Sequence, residues 1–184
     1  MLDQNAVATV EGLRALLLEE LQELQRAIDG SEFDPVEMFY DGGNRVDENT
    51  ASKRIADRLQ LRLKALNMAV TIEHQLKDAK RCDITTTTML GGSRKLLVME
   101  VKGQWHRELF TAAAAQLHER YSIHPDAEQQ GIYLVLWFGE GEKIAGKKDA
   151  TVSSPEDLYR KVVESVPEEL KGLIDVFVLD LSRS

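Results

Sequence analysis

The run GIYLVLWF at 131–138, closed by Gly139, constrains the fold more than any other stretch. It is apolar at every side-chain position, so neither face of an extended chain could look onto water. A strand of this kind is covered on both sides, as in the middle of an α/β sheet. The rest of the chain must therefore supply two covering layers and the neighbouring strands.

Helical periodicity supplies the layers. Residues 6–29 carry Leu13, Leu16, Leu17, Leu21 and Leu24 on one stripe, with Gly30 placed to stop the helix. That stripe predicts packing on the domain or against a dimer partner. Pro, Gly, Asp and Asn mark 30–46 as a loop. A second helix is predicted over 47–67, with Ile55, Leu59, Leu63 and Leu66 inward. Then AVTIEHQL alternates like a strand, CDITTTTML is β-branched and extended, GGSR is a turn and KLLVMEV is the next strand. Residues 105–121 predict a helix, helped by four consecutive alanines. Ser154-Pro155-Glu156-Asp157 reads as a capped helix start, and IDVFVLDL at 174–181 as the last strand. The predicted class is α/β: a mixed central sheet flanked by helices, with an N-terminal helix and loop over 1–46 and an α/β domain over 47–184.

Composition removes several function classes. A single cysteine, Cys82, forbids an intrachain disulfide, and four scattered histidines offer no zinc spacing. No apolar run approaches the roughly 20 residues of a membrane span, and MLDQNAVATVEGLR lacks the basic-then-apolar pattern of a signal peptide. A cytoplasmic protein with no membrane partner is the expectation. The formal net charge of −8 argues against broad, nonspecific affinity for nucleic acid but leaves room for a local basic groove. Lys80, Arg81, Arg94, Lys95 and Arg107 could form one, with Lys143, Lys147 and Lys148 read as a solvated loop.

The strand at 95–101 poses the chemical question. It is apolar on both faces up to Met99, then carries Glu100 and Lys102 on one face. A buried unpaired ion costs several kcal/mol, of order 3–5 when its partner is lost. With Gly91 and Gly92 as the central residues of a hairpin, facing positions sum to 183 and Asp83 lies opposite Glu100. If the loop runs from Gly91 to Arg94 instead, Asp83 faces Lys102 and the shared face is kept; only an odd-length loop breaks this parity. Two carboxylates that close need a cation between them or a proton on one. Oxygen donors at such spacing suit Mg²⁺ or Mn²⁺. The bland alternative is a surface face of solvated ion pairs, which the apolar flanks disfavour.

Asp83 followed by Glu100-Val101-Lys102, on a hairpin with helix and strand before it and helix and strand after it, resembles the PD-(D/E)XK nuclease superfamily over about residues 47–138. The resemblance implies a restriction-endonuclease-like αβββαβ core and a metal-dependent nuclease that hydrolyses phosphodiester bonds of DNA, with a bacterial defence context as a further implication. It implies Asp83, Glu100 and the Val101 carbonyl as ligands of Mg²⁺ or Mn²⁺, and Lys102 as the catalytic lysine. Members often carry a further acid on the preceding helix. Glu48 matches that position, against the plain reading of an acid at a helix N-terminus, and Glu73 is a lesser candidate. Gln116 and Tyr121 resemble a Gln and Tyr pair of RecB-like members, although five residues separate them where four would align them on a helix. The proline usual before the first acid is replaced by Cys82. Trp105 could stack a base or simply pack, and His106 could reach a phosphate. The alternative from another class is a catalytically silent nucleic-acid-binding or assembly module with the same fold, working as a homodimer or within a larger multidomain protein.

Overall fold

A computed structural model describes residues 9–30, 35–76, 80–90, 92–113, 116–118, 124–146 and 152–183, with the side chains of 73–83 and of Leu90 outside the described set. Helix α1 spans Val10–Gly30. A short 3-10 turn, Pro35–Phe39, leads into a small hairpin of β1 (Tyr40–Asp41) and β2 (Asn44–Arg45). Where sequence predicts only a loop, Gly42 and Gly43 take the positive φ values, 54° and 86°, that turn this hairpin. Helix α2 spans Glu48–Leu63, and Asn67 in the left-handed conformation ends the 3-10 turn that follows it. The strands are β3 (Ala69–Leu76), β4 (Lys80–Leu90), β5 (Ser93–Gly103), β6 (Gly131–Trp137) and β7 (Ile174–Asp180). Helix α3, Pro155–Ser165, precedes β7, with the Ser154 hydroxyl accepting the Asp157 N–H as its cap.

The sheet is five-stranded and mixed, in the order β3-β4-β5-β6-β7. The first three strands pair antiparallel, and β5, β6 and β7 run parallel. The β4–β5 register, from Ile84↔Met99 to Leu90↔Ser93, is the one in which partner numbers sum to 183. The strand at 131–138 is covered on both faces as its composition demands. Ile132, Leu134 and Leu136 join Leu97, Met99 and Val101 under α1 and α2. Tyr133, Val135 and Trp137 join Leu96 and Val98 under α3 and the 109–117 segment.

Helix α1 belongs to this core. Val10, Leu13, Leu16, Leu17, Leu21 and Leu24 are buried in the same cluster as the β5 and β6 residues. Its polar side chains also close the outer edge of β7. Arg14 donates to the Gly172 and Leu173 carbonyls, each at 2.8 Å, and pairs with Asp175 at 2.9 Å. Gln25 accepts the Asp180 N–H at 2.8 Å and donates back to its carbonyl at 3.2 Å. An open strand edge invites pairing with another chain, and these side chains occupy its ends. A boundary at residue 46 therefore separates elements that share one core.

The segment expected to be a helix over 105–121 departs from regularity. Residues 107–111 are turns, Ala112 is α-helical, and wider helical turns occupy Ala113 and 116–118, with 114–115 and 119–123 outside the described residues. The Leu109 carbonyl, which an α-helix would give to the N–H four residues on, accepts the buried Tyr133 hydroxyl at 2.7 Å. A side chain inserted into the helical ladder in this way disrupts it. Local alanine propensity yields here to packing on β6.

Leu17→Ala is expected to lower stability by about 2–5 kcal/mol, the cost of a buried leucine cavity, read as a shifted urea midpoint. Removing residues 1–30 should leave a chain without a cooperative melt; a folded, monomeric 31–184 fragment would show that α1 is dispensable.

Candidate active site

Strand β5 changes character at its C-terminal end. Glu100 and Lys102 are only 3% and 5% exposed, on the sheet face that carries Leu96 and Val98. Register sets Glu100 beside Tyr133 and Lys102 beside Val135 of β6. Two ions among apolar walls must satisfy each other. The Lys102 ammonium donates to Glu100 Oε1 at 2.5 Å and to the Val101 carbonyl at 3.2 Å.

Glu48 reaches the same point from α2. Asp47 caps that helix, its carboxylate accepting the Thr50 N–H at 2.9 Å and the Thr50 hydroxyl at 3.0 Å. The cap fixes where the first turn begins, and Glu48 is its first residue. One Glu48 oxygen accepts the Gly103 N–H at 2.8 Å, and the other lies 3.7 Å from the Lys102 ammonium. Thus Glu48, Glu100, Lys102 and the Val101 carbonyl, named from the sequence, meet at the end of β5. Asp83 sits on β4 directly before Ile84, whose partner is Met99; its side chain lies outside the described residues. So do the side chains of Glu73, Lys80, Arg81 and Cys82, and the whole of Tyr121, Lys147 and Lys148.

Other candidates are engaged elsewhere. Gln116 donates to the Glu108 carboxylate, and no hydrogen bond among the described residues joins it to Glu48, Glu100 or Lys102. The His106 ring accepts the Glu108 N–H at 3.2 Å. Trp105 has Gly103 packed on its ring and the Arg45 guanidinium 3.3 Å over it, so packing is the role the contacts describe. The expected basic groove is partly neutralised: Arg94 pairs with Asp126 at 2.7 Å and Lys95 with Glu128 at 2.5 Å.

Gln104 escapes sequence reasoning. Fully buried, it donates to the Gly139 and Glu142 carbonyls at 3.0 and 3.2 Å and accepts the Phe138 N–H at 2.6 Å. It pins the loop after β6 against the site. Its only sequence signal is a polar residue directly after a buried strand, which does not specify a partner.

Chemically, the site offers oxygen donors gathered round one ammonium. Carboxylate and carbonyl oxygens are the donor types hard divalent cations take, and in this structure the Lys102 ammonium is the cation they surround. Among the described residues no three His, Cys, Asp or Glu side chains form a metal cluster; two carboxylates, Glu48 and Glu100, and a backbone carbonyl are what they provide. Comparisons with known protein families, curated proteins and solved structures find no match.

The Thr50 N–H and hydroxyl hold the Asp47 carboxyl below the usual carboxylate range. A carboxylate lowered on folding contributes stability above its unfolded pKa and loses it as pH falls through the native value. Asp47→Ala should therefore cost about 1 kcal/mol at pH 7, and the gap to wild type should narrow below roughly pH 4. Paired urea titrations across pH check this; a gap independent of pH would remove the charged cap from the account of how Glu48 is placed.

Proposed function

We propose that the chain is a metal-dependent phosphodiesterase of the nuclease type that hydrolyses DNA. The observation that carries this reading is the meeting of Glu48, from the start of α2, with Glu100 and Lys102 at the end of β5. Elements far apart in sequence deliver two carboxylates and an ammonium to one point beside a backbone carbonyl.

Glu48, Glu100 and the Val101 carbonyl would hold Mg²⁺ or Mn²⁺, with Asp83 the further carboxylate expected from β4. A divalent cation there supplies a lowered water pKa and charge stabilisation for the phosphoryl oxygens. The chain's own residues do the rest. Apolar neighbours on β5 and β6 exclude bulk water from the Glu100 carboxylate, which strengthens each electrostatic contact made there. Lys102, on a flexible four-carbon stem, can move its ammonium from Glu100 toward an attacking water or a phosphate oxygen. Glu48 stays in place because the Gly103 N–H holds its second oxygen.

A second reading has its own observation. The Lys102 ammonium already lies 2.5 Å from Glu100 with both groups buried, as a purely structural ion pair in a silent nucleic-acid-binding or assembly module would.

Incubating supercoiled and linear DNA with Mg²⁺, with Mn²⁺ or with EDTA separates the two. The nuclease reading expects cleavage with either metal and none with EDTA. Lys102→Ala should cleave about 10²–10⁴-fold more slowly, the loss common for a general acid–base or charge-stabilising group, while still binding Mg²⁺ by calorimetry. A Lys102→Ala chain as active as wild type would remove these residues from the chemistry. Wild type inert on DNA and RNA with every divalent metal tried would leave the silent module.

A further inference from the structure

Gly103 follows Lys102 directly, and its N–H is the group that grips Glu48, at 2.8 Å. The position has no room for a side chain. A Cβ there would lie 2.4 Å from Cζ2 and 2.6 Å from Cε2 and Cη2 of the Trp105 indole. Real Cβ atoms do not approach that closely, so either the ring or the strand would have to move. The ring is not free to move. Arg45 of β2 lies 3.3 Å over it, Arg45 is itself tied to Glu142 at 2.9 Å, and Phe138 packs beside the indole with ring centroids 5.7 Å apart. Gln104, between the two residues, anchors the Gly139 and Glu142 carbonyls. The indole is thus a fixed wall, and the backbone it presses on carries the Glu48 contact.

We infer that Gly103, backed by Trp105, is the positioning residue for Glu48: the missing side chain lets the indole lie flat on the strand end and aims the Gly103 N–H at the carboxylate. This inference rests on the nuclease reading for its consequence in catalysis, and on the hydrogen bond alone for its geometry. Neither residue touches a reacting atom. Their effect passes through Glu48, which sits 3.7 Å from the Lys102 ammonium. A carboxylate displaced by about 1 Å from a reacting centre can cost on the order of 10²-fold in rate.

The test is a double-mutant cycle in the full chain. Gly103→Ala should lower kcat on DNA by about 10–100-fold with KM changed less than about 3-fold, since substrate binding is not its task. In a Glu48→Ala background the same substitution should cost less than about 2-fold, because the group it positions is gone. A Gly103→Ala chain at the wild-type rate, or one losing equally in both backgrounds, would overturn the inference. Hydrogen exchange of the Gly103 amide in the chain without metal, referenced to neighbouring β5 amides, decides the geometry independently of folding in Gly103→Ala and of any activity. Exchange should be at least about 10-fold faster in Glu48→Ala than in wild type, as for a lost bond to a charged acceptor; equal rates would overturn the seat. If wild type cleaves nothing, the nuclease reading fails, and the amide exchange alone still decides whether Gly103 holds Glu48.

Discussion

A buried ion pair governs this molecule. Lys102 and Glu100 lie 2.5 Å apart near the end of a strand that is apolar and buried from Leu96 to Met99. In such surroundings the desolvation of each ion costs several kcal/mol, and attraction offsets it only with good geometry and further hydrogen bonds. The surrounding elements supply them. The Val101 carbonyl takes part of the ammonium, α2 brings a second carboxylate, and the Gly103 N–H stops that carboxylate from collapsing onto the lysine. The Asp47 cap, the glycine and the indole wall all set the position of Glu48 relative to that charge.

The same end of the sheet explains the small hairpin and the loop after β6. Parallel strands β5, β6 and β7 finish there, and ligand sites in open α/β sheets commonly form beyond such strand ends. Arg45 of the hairpin, Trp105, Phe138 and Tyr40 make a continuous packed row, closed by Arg183 over the Tyr40 ring at 3.7 Å. The Tyr40 hydroxyl donates to the Leu181 carbonyl at 2.7 Å, and burial first of all raises its pKa. This row braces the strand ends on the side away from the Glu100–Lys102 face, and α1 braces the β7 edge beside it. Rigidity there has a use, since charged groups act best when they need not reorganise.

Much of this was legible in the sequence, for identifiable reasons. Strands β3, β6 and β7 announce themselves by alternation or by unbroken apolar runs, and the two-glycine turn after β4 leaves two registers of the same parity, of which the structure takes the one summing to 183. Glu48 is named through the resemblance, which places a further acid on the helix before the hairpin; its position alone fits an ordinary helix-start acid equally well. What stayed hidden depends on contacts between distant segments. Four alanines favour a helix, yet nothing local shows that Tyr133 will take the Leu109 carbonyl. The stripe on α1 reveals a buried face but not that Arg14 and Gln25 on its flanks will close a strand edge 159 and 155 residues later. Gly103 resembles any strand-ending glycine until the indole is seen against it.

Stability gives no reason for charges at this point. Replacing a buried ion pair by apolar side chains of similar volume is often neutral or stabilising by about 1–4 kcal/mol, and β5 is apolar enough to be finished that way. A fold-only account would need Glu100 to justify Lys102 and Lys102 to justify Glu100. Such circular support would not require Glu48 as well, because one carboxylate neutralises one ammonium. Glu48 brings a second carboxylate within 3.7 Å of the same ammonium, in a chain whose net charge of −8 already disfavours it. Two carboxylates and a backbone carbonyl at one buried point are the donors that the proposed divalent cation would use. An acidic protein can also approach a polyanion most readily where such a cation offsets the like charge. On that reasoning the acidity that weighs against nonspecific nucleic-acid affinity is compatible with a nuclease whose grip on phosphate is local and metal-borne.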